Sequence, residues 1–302
     1  MDQAPTQPLL DHLHRFLFED YDVRGELVQL SQSYQDVLRN HNYPAAIERL
    51  VGELFVATSL LTATLKFEGH INVQLQGDGP VHLAAINGDH NQALRGVARY
   101  KSTPADDANL TEMVGKGFLL ITITPNEGER YQGVVELVGN SLTDSLENYF
   151  AQSEQLATKL ILKTGLYNDQ KMAAGLLLQK LPTAKEEHEA EFSHVTTLAE
   201  TLKDDELFGL DAETLLYRLY HQEAVRIFEP QAIVFECGCS REKCEGALLS
   251  VEKSELLDIL QEKGQIDMDC EYCRTAYHFD ALDVEALFAT NNPSLQSNKT
   301  KH

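Results

Sequence analysis

All five cysteines of this 302-residue chain lie in its last 66 residues, and no other feature constrains the fold as strongly. Cys237 and Cys239 form a C-x-C pair, Cys270 and Cys273 form a C-x-x-C pair, and thirty residues separate the two pairs. Zinc binds four thiolates tetrahedrally, and closely spaced cysteine pairs supply two ligands each from tight turns. Gly238 suits such a turn because glycine adopts backbone angles that other residues disfavour. The spacing therefore predicts a four-thiolate site for one Zn²⁺, with four unliganded core cysteines as the alternative.

Two further residues near these pairs are candidate ligands of lower rank. Cys244 is a spare ligand, a resolving thiol or a small buried residue, and the last interpretation is favoured. His278 follows Cys273 by five residues and is able in principle to replace a thiolate. Its neighbours Tyr277 and Phe279 favour an ordinary histidine in a strand.

The cysteine-rich module is small, at roughly 55–65 residues, and domains of this size often need a disulfide or a structural metal to fold. Structural zinc contributes ~10–16 kcal/mol in finger peptides, whereas whole domains are stable by ~5–15 kcal/mol. Loss of the metal is therefore expected to unfold the module. Peroxide or hypochlorous acid oxidises such thiols to disulfides. The short spacings allow disulfides to form within each pair, Cys237–Cys239 and Cys270–Cys273. Each disulfide removes two metal ligands, so oxidation is expected to unfold the module.

The region before the cysteines is predicted to have a mixed α/β fold. HRFLFE (14–19) is typical of a strand, and apolar residues at helical spacing predict a helix over 23–40. A second helix, with Pro44 in its first turn, is predicted to run to about Lys66 and to be buried because apolar residues nearly encircle it. A further helix is expected over 142–152. Short β-rich runs predict strands at 71–76, 81–86, 93–100, 118–124, 131–138, 158–163 and 172–179, with a hairpin turn at 77–80.

Residues 183–236 differ in charge from the rest of the chain. They carry a net charge of −9 in 54 positions, whereas residues 1–182 carry −8, and the whole chain carries −22. Apolar residues at helical spacing predict two helices separated by Gly209, the second capped by Asp211. Short helices are marginal unless they dock, and dense negative charge adds self-repulsion. This segment is therefore predicted to be a metastable linker, and the acidic balance argues against a nucleic-acid partner.

In the cysteine-rich region, a helix is predicted from a cap at Ser250 to a stop at Gly264, and a short helix over 282–288. The fold class is α+β, with a mixed α/β core, a helical linker and a small zinc-binding domain. No window approaches the ~18 apolar residues of a membrane helix, and no signal peptide is expected, so the interpretation is a cytoplasmic protein. The predicted domains are an N-terminal core at 1–182, the acidic linker at 183–236, the zinc redox-switch domain at 237–289 and a disordered tail at 290–302.

Six segments of the sequence resemble one known family. They are CGCSREKCEGAL, DCEYCRTAYHF, RFLFEDYDVRGELVQL, LQGDGPV, YQGVVEL and GLLLQKLP. Together with the C-x-C and C-x-x-C frame they are similar to the redox-regulated bacterial heat-shock chaperones of the 33 kDa chaperonin family. The resemblance covers nearly the whole chain.

The resemblance implies a reduced, zinc-bound form that is monomeric and inactive. It implies that oxidation pairs Cys237 with Cys239 and Cys270 with Cys273, releases zinc and unfolds the module. The adjoining linker would then lose structure and expose surface that holds unfolding client proteins without ATP, and the active form would dimerise. Cys244 matches none of the four ligand positions in that family, so its role stays open.

Other function classes remain beside this one. No spacing in residues 1–182 assembles a catalytic triad or a carboxylate pair, so an enzyme is not expected. A thiol–disulfide oxidoreductase would use Cys270 and Cys273, but such a motif usually opens a helix, whereas RTAYHF after Cys273 favours a turn and a strand. A zinc-ribbon module that binds a partner is the third class.

Overall fold

The computed structural model describes residues 9–64, 68–182 and 189–290. The fold is mixed α/β and divides into two compact units, Met1–Glu236 and Cys237–His302. The mixed α/β class expected from the sequence is confirmed. The finer division of the first unit at residue 182 stays a prediction, and the tail expected to be disordered lies, from residue 291 on, outside the described residues.

Within the described residues, the first unit contains two six-stranded sheets. The first sheet has the order β10-β1-β2-β9-β8, with β11 also paired to β1. Its strands are β1 (His12–Phe18), β2 (Val23–Leu30), β8 (Thr158–Tyr167), β9 (Gln170–Lys180), β10 (Val225–Ile227) and β11 (Gln231–Ala232). The second sheet has the order β12-β5-β4-β3-β6-β7. Its strands are β3 (Gly69–Gly77), β4 (Val81–Asp89), β5 (Ala93–Tyr100), β6 (Gly117–Pro125), β7 (Tyr131–Glu136) and β12 (Val234–Phe235).

The long helix α2 (Ala45–Ala63) contacts strands of both sheets. Fourteen of its nineteen residues are buried, which confirms the prediction of a helix apolar on nearly all sides. Pro44 is the residue just before the helix rather than part of its first turn. The predicted strands between residues 71 and 179 and the hairpin turn between β3 and β4 are also confirmed. The helix expected over 142–152 is α4 (Leu142–Tyr149), continued by a π-helical turn at Phe150–Glu154, and the short helix α3 is Leu110–Val114.

The helix predicted over residues 23–40 is wrong in its first half. Residues 23–30 form β2, and only Gln32–Leu38 form a helix, α1. Strand β2 is buried on both faces: Val28 and Leu30 pack in the cluster around α2, while Val23 and Leu27 pack in a second cluster on the opposite face. A strand covered on both faces loses its polar–apolar alternation. Its apolar residues then fall at a spacing that a helix also produces.

The acidic segment is folded against the first sheet. Its described part contains α5 (Glu189–Ala199), α6 (Asp204–Gly209) and α7 (Ala212–Tyr220). These helices pack in the second cluster with Phe16, Phe18 and Leu27. Asp211 caps α7 as predicted, because its carboxylate accepts a hydrogen bond from the Thr214 amide at 2.9 Å. The sequence did not predict α6, and Gly209 is its last residue rather than a spacer between two helices.

The second unit has a small core. Its elements are α8 (Arg241–Leu248), α9 (Lys253–Lys263), β13 (Ile266–Asp269), β14 (Ala276–Phe279) and α10 (Ala281–Thr290). Helix α9 ends at Gly264 as predicted, but it begins at Lys253 after Glu252, so the predicted cap at Ser250 is wrong. The terminal helix is confirmed, and α8 was not predicted. Across the described residues no helix is both long and apolar enough to span a bilayer.

One buried carboxylate in the first sheet gives the core a pH dependence. Glu26 on β2 is 2% exposed, and no described residue bonds its Oε2 atom. Burial raises the pKa of Glu26 to about 7, although Arg24 and Arg15 oppose the shift. The folded state therefore holds a proton that the unfolded chain loses near pH 4.5. This contribution to stability is lost as pH rises from that value through 7.

Replacing Glu26 with Gln is therefore expected to stabilise the protein at pH 8 by up to about 3 kcal/mol, since each pKa unit corresponds to about 1.4 kcal/mol. At pH 5 the gain should fall below about 1 kcal/mol because the native Glu26 is already protonated there. Urea unfolding followed by circular dichroism at both pH values measures the difference. Glu136→Gln on the exposed side of β7 is the matched control, and a Glu26→Gln gain independent of pH would contradict the assignment.

Candidate metal centre

Two short backbone segments present the four paired cysteines. Cys237 and Cys239 lie in the chain just before α8, and Gly238 between them has a φ of +62°. That value lies in the left-handed region, which confirms the reason for a glycine in the turn. Cys270 and Cys273 lie in the turn between β13 and β14. Two backbone hydrogen bonds close this turn. The Cys270 amide donates to the Thr275 carbonyl at 2.9 Å, and the Arg274 amide donates to the Cys270 carbonyl at 2.8 Å.

These two segments bring the four thiols together. All four Sγ atoms lie within 4.8 Å of one another. The Sγ atoms of Cys237 and Cys270 are 3.3 Å apart, and those of Cys239 and Cys273 are 3.5 Å apart. Both of these short distances join one cysteine pair to the other. The sequence-predicted site residues are therefore neighbours in space despite thirty intervening residues.

The donor set fits a zinc ion. Four sulfurs at about 2.3 Å from a tetrahedral ion lie about 3.8 Å from one another. The observed separations bracket that value, and all five thiols of the chain are free of disulfides. Sulfur-only donor sets favour zinc over magnesium or calcium, which prefer oxygen. The four cysteines can therefore hold one soft divalent ion in the reduced protein.

Polar neighbours act on these thiols unequally. Burial raises the pKa of Cys237, and hydrogen bonds with the other cysteines add to the shift. Burial also raises the pKa of Cys239, although the Tyr277 hydroxyl, which donates to its Sγ at 3.1 Å, opposes the rise. Burial again raises the pKa at Cys273, but hydrogen bonds with Thr275, Cys237 and Cys239 together outweigh burial and lower the pKa to about 7. Cys273 therefore ionises more readily than Cys237 or Cys239 when no metal is bound.

The two candidate ligands of lower rank lie outside this group. Cys244 is half-buried on α8 and packs against the hydrophobic cluster of its unit, and burial raises its pKa. Its sulfur is not among the four that lie within 4.8 Å of one another. His278 lies in β14, as predicted for a strand histidine, and its Nδ1 atom is 2.6 Å from Asp267.

The sequence interpretation missed the residues that support the site. Tyr277 and Thr275 contact ligand thiols, and the only signal for them was a hydroxyl-bearing side chain two or four residues after Cys273. Arg241 at the start of α8 stacks 4.3 Å from the Phe279 ring and pairs with Asp283 at 2.8 Å. It also donates to the His278 carbonyl at 2.8 Å. One side chain thereby ties α8 to β14 and α10 beside the cysteines.

The fold and the site together define an α/β protein with a small second unit whose four clustered cysteines could hold a metal ion. The chain belongs to the Hsp33 family, because the model described as "Hsp33 protein" matches residues 11–280. The resemblance stated from the cysteine motifs is therefore confirmed.

Named relatives agree with this membership. The 33 kDa chaperonin of Aeromonas salmonicida is 59% identical over 289 residues, covering 96% of this chain and 98% of the relative. The 33 kDa chaperonin of Photobacterium profundum is 56% identical over 277 residues, covering 92% and 94%. The crystal structure of a 33 kDa chaperonin from Thermotoga maritima superposes with a TM-score of 0.81 at 21% identity, covering 93% of this chain and 98% of that one, which shows the shared fold.

Proposed function

We propose that this protein is a redox-regulated, ATP-independent holdase chaperone that protects unfolding client proteins under oxidative stress. The observation that carries the proposal is the group of four thiols within 4.8 Å of one another in a unit with a small hydrophobic core. Membership of the Hsp33 family, whose relatives are named chaperonins, supports the chaperone class. Five free thiols suit a reducing compartment, which supports a cytoplasmic location.

The reduced state is the inactive one. Cys237, Cys239, Cys270 and Cys273 would hold one Zn²⁺, which crosslinks the segment before α8 to the β13–β14 turn. Within the described residues, the hydrophobic core of this unit has six buried side chains, namely Leu248, Leu256, Leu260, Ile266, Phe279 and Val284. A core of that size leaves the folded unit dependent on the crosslink. In this state the protein is proposed to be a monomer.

Oxidation removes the ligands in pairs. For each disulfide, two thiolates give two electrons to hydrogen peroxide, which takes up two protons from solvent and is reduced to two molecules of water. The short distances in the folded unit run from Cys237 to Cys270 and from Cys239 to Cys273, so first contact there favours bonds across the pairs. Once the unit opens, ring closure favours the nearest cysteine in sequence. Cys237–Cys239 and Cys270–Cys273 are therefore the proposed final disulfides.

The acidic segment transmits the change to the first unit. Its last residue, Glu236, is bonded directly to the ligand Cys237. Its dense negative charge opposes compact folding, whereas contacts in the second cluster hold it on the first sheet. Loss of order at Cys237 shifts that balance toward release. Release exposes apolar side chains on both surfaces, which supports client binding and dimerisation of the oxidised form.

Peroxide treatment at mild heat tests the proposal. Zinc release from the reduced, zinc-loaded protein is followed with a chromophoric chelator, and aggregation of unfolding citrate synthase is followed by light scattering. Zinc release and suppression of aggregation should rise together, and dithiothreitol with added zinc should reverse both. Release of zinc with no change in aggregation would mean that the metal only stabilises the fold, and it would contradict the redox switch.

Limited proteolysis should report where the oxidised chain loses structure. New cleavage sites are expected after about residue 183, whereas a core fragment close to 1–180 should persist because α2 and strands β1 to β9 of the two sheets lie there. Mass spectrometry of the fragments locates the cuts, with the reduced protein as control. Cleavage distributed evenly from the N-terminus would contradict a selective release of the acidic segment.

One observation favours a thiol–disulfide oxidoreductase as a second candidate. The pKa of Cys273 falls to about 7, the range of reactive thiols in such enzymes. Against this, the residues after Cys273 form a turn and β14 rather than the helix that usually activates the motif, as the sequence predicted. Insulin reduction by catalytic amounts of the protein would favour the enzyme, and its absence together with aggregation suppression would favour the chaperone.

A further inference from the structure

The last part of the acidic segment closes one edge of each sheet in the first unit. This strap, defined as residues 224–236, contains β10 and β11, which pair with β1, and β12, which pairs with β5. Within the described residues these three strands are the outer neighbours of β1 and β5. The strap therefore occupies two edges that would otherwise present unpaired backbone groups.

The strap is held by backbone hydrogen bonds and by partly buried side chains, since Val225, Ile227 and Phe235 pack against the two clusters. The amides of Phe228 and Ile233 donate to the carbonyls of Arg15 and Asp11 at 2.9 and 2.8 Å. The amide of Glu236 donates to the Leu94 carbonyl at 2.9 Å. Phe228 and Val234 are 44% and 47% exposed, so they bury little apolar area, whereas Ile233 is 2% exposed and anchors the strap in the main core.

We infer that β1 and β5 are docking edges for extended segments of unfolding client proteins, which add as strands in place of the strap. This inference rests on the proposed function, because the strap must leave before the edges open. The present occupant defines what the edges accept, namely short extended runs of two or three paired residues. Main-chain pairing of this kind gives affinity without demanding a particular sequence, which suits a chaperone with many clients.

The composition of the two strands agrees with this role. Neither β1 (HLHRFLF) nor β5 (ALRGVARY) contains proline or an acidic residue, in a chain whose net charge is −22. Exposed edges are usually protected against adding another chain, for example by proline, lysine or a covering segment. In the reduced state the strap itself protects the edges of β1 and β5. The opposite edges, β8 and β7, do not involve the strap and give no reason for a redox dependence.

A peptide with the sequence of the strap tests the edges directly. The probe is fluorescein-labelled 224–236, which has no cysteine and so forms no mixed disulfide. Fluorescence anisotropy with the full-length oxidised protein should show binding at least ten-fold tighter than with the reduced, zinc-loaded protein, whose own strap competes at high effective concentration. A second peptide is N-methylated at Phe228, Ile233 and Glu236, whose amides donate to the sheets. It should bind at least ten-fold more weakly.

The matched control is N-methylated at Val225, Ile227 and Phe235, whose amides point away from the sheets because strand residues alternate. It should bind like the unmodified peptide, and unmodified peptide should displace chemically unfolded citrate synthase from the oxidised protein. Equal losses for the two methylated peptides, or binding that disappears as the oxidised chain dimerises, would overturn strand addition. An oxidised protein that suppresses aggregation but binds no peptide would overturn the inference alone, whereas one that suppresses no aggregation would overturn the proposed function as well.

Discussion

A Cys270→Ser variant is expected to lose zinc affinity by more than about 100-fold, because changes to residues that only support a ligand already cost 10–100-fold. Cys270 lies 3.3 Å from Cys237 and also anchors the β13–β14 turn through its backbone. Without a fourth thiolate, the small hydrophobic core, with six buried side chains among the described residues, is left to hold the unit together. The amide resonances of the second unit should therefore collapse toward random-coil positions, while those of the first unit should persist. Zinc content is measured by competition with a chelator, and structure by NMR.

Cys244→Ser is the matched control for that variant. Cys244 lies in the same unit and is half-buried, but its sulfur is outside the four-thiol group. The serine variant should keep one equivalent of zinc and most of the response to peroxide. A Cys270→Ser protein that still held one equivalent tightly would show that the ligand assignment is wrong. Loss of zinc from Cys244→Ser would reinstate Cys244 as a ligand.

The metal centre was the part most accessible to sequence reasoning, because a thiolate site needs one residue type at short spacing. Gly238, with its φ of +62°, followed from the same argument. Tyr277 and Thr275 did not, since a hydroxyl near a cysteine is common. The β13–β14 pairing positions Tyr277, and the hydrogen bond that closes the turn positions Thr275. Local patterns thus identified the candidate ligands, whereas the contacts that support them depend on tertiary structure.

The first unit shows where local patterns fail. The pattern of strand β2 predicts a helix because both faces of the strand are covered, one of them by helices that begin more than 150 residues later in the chain. The strap strands have two or three residues each, which is too short for a pattern of alternating apolar and polar residues to be recognised. Their conformation depends on the free edges of β1 and β5. Elements of this kind become predictable only when the distant partner is known.

Helix α7 provides a way to separate release of the acidic segment from loss of the metal. Leu216 is 1% exposed and packs in the second cluster, whereas its neighbour Tyr217 is 73% exposed. Burial of a leucine contributes roughly 1.5–3 kcal/mol, and an unpaired carboxylate in its place costs several more. Leu216→Asp should therefore undock the segment, while Tyr217→Asp adds the same charge on the solvent side with little effect.

The reduced Leu216→Asp protein is expected to suppress citrate synthase aggregation without any oxidant, to a level close to that of the oxidised native protein. It should still bind one equivalent of zinc, because the four cysteines lie in the other compact unit. Tyr217→Asp should stay inactive until it is oxidised. If Leu216→Asp is cleaved by protease within residues 189–236 yet remains inactive, release of the segment is insufficient, and the disulfides or the opened zinc unit must contribute directly to client binding. Chaperone activity without oxidant would instead show that the docked segment keeps the reduced protein inactive. The four thiols would then control activity only by releasing that segment.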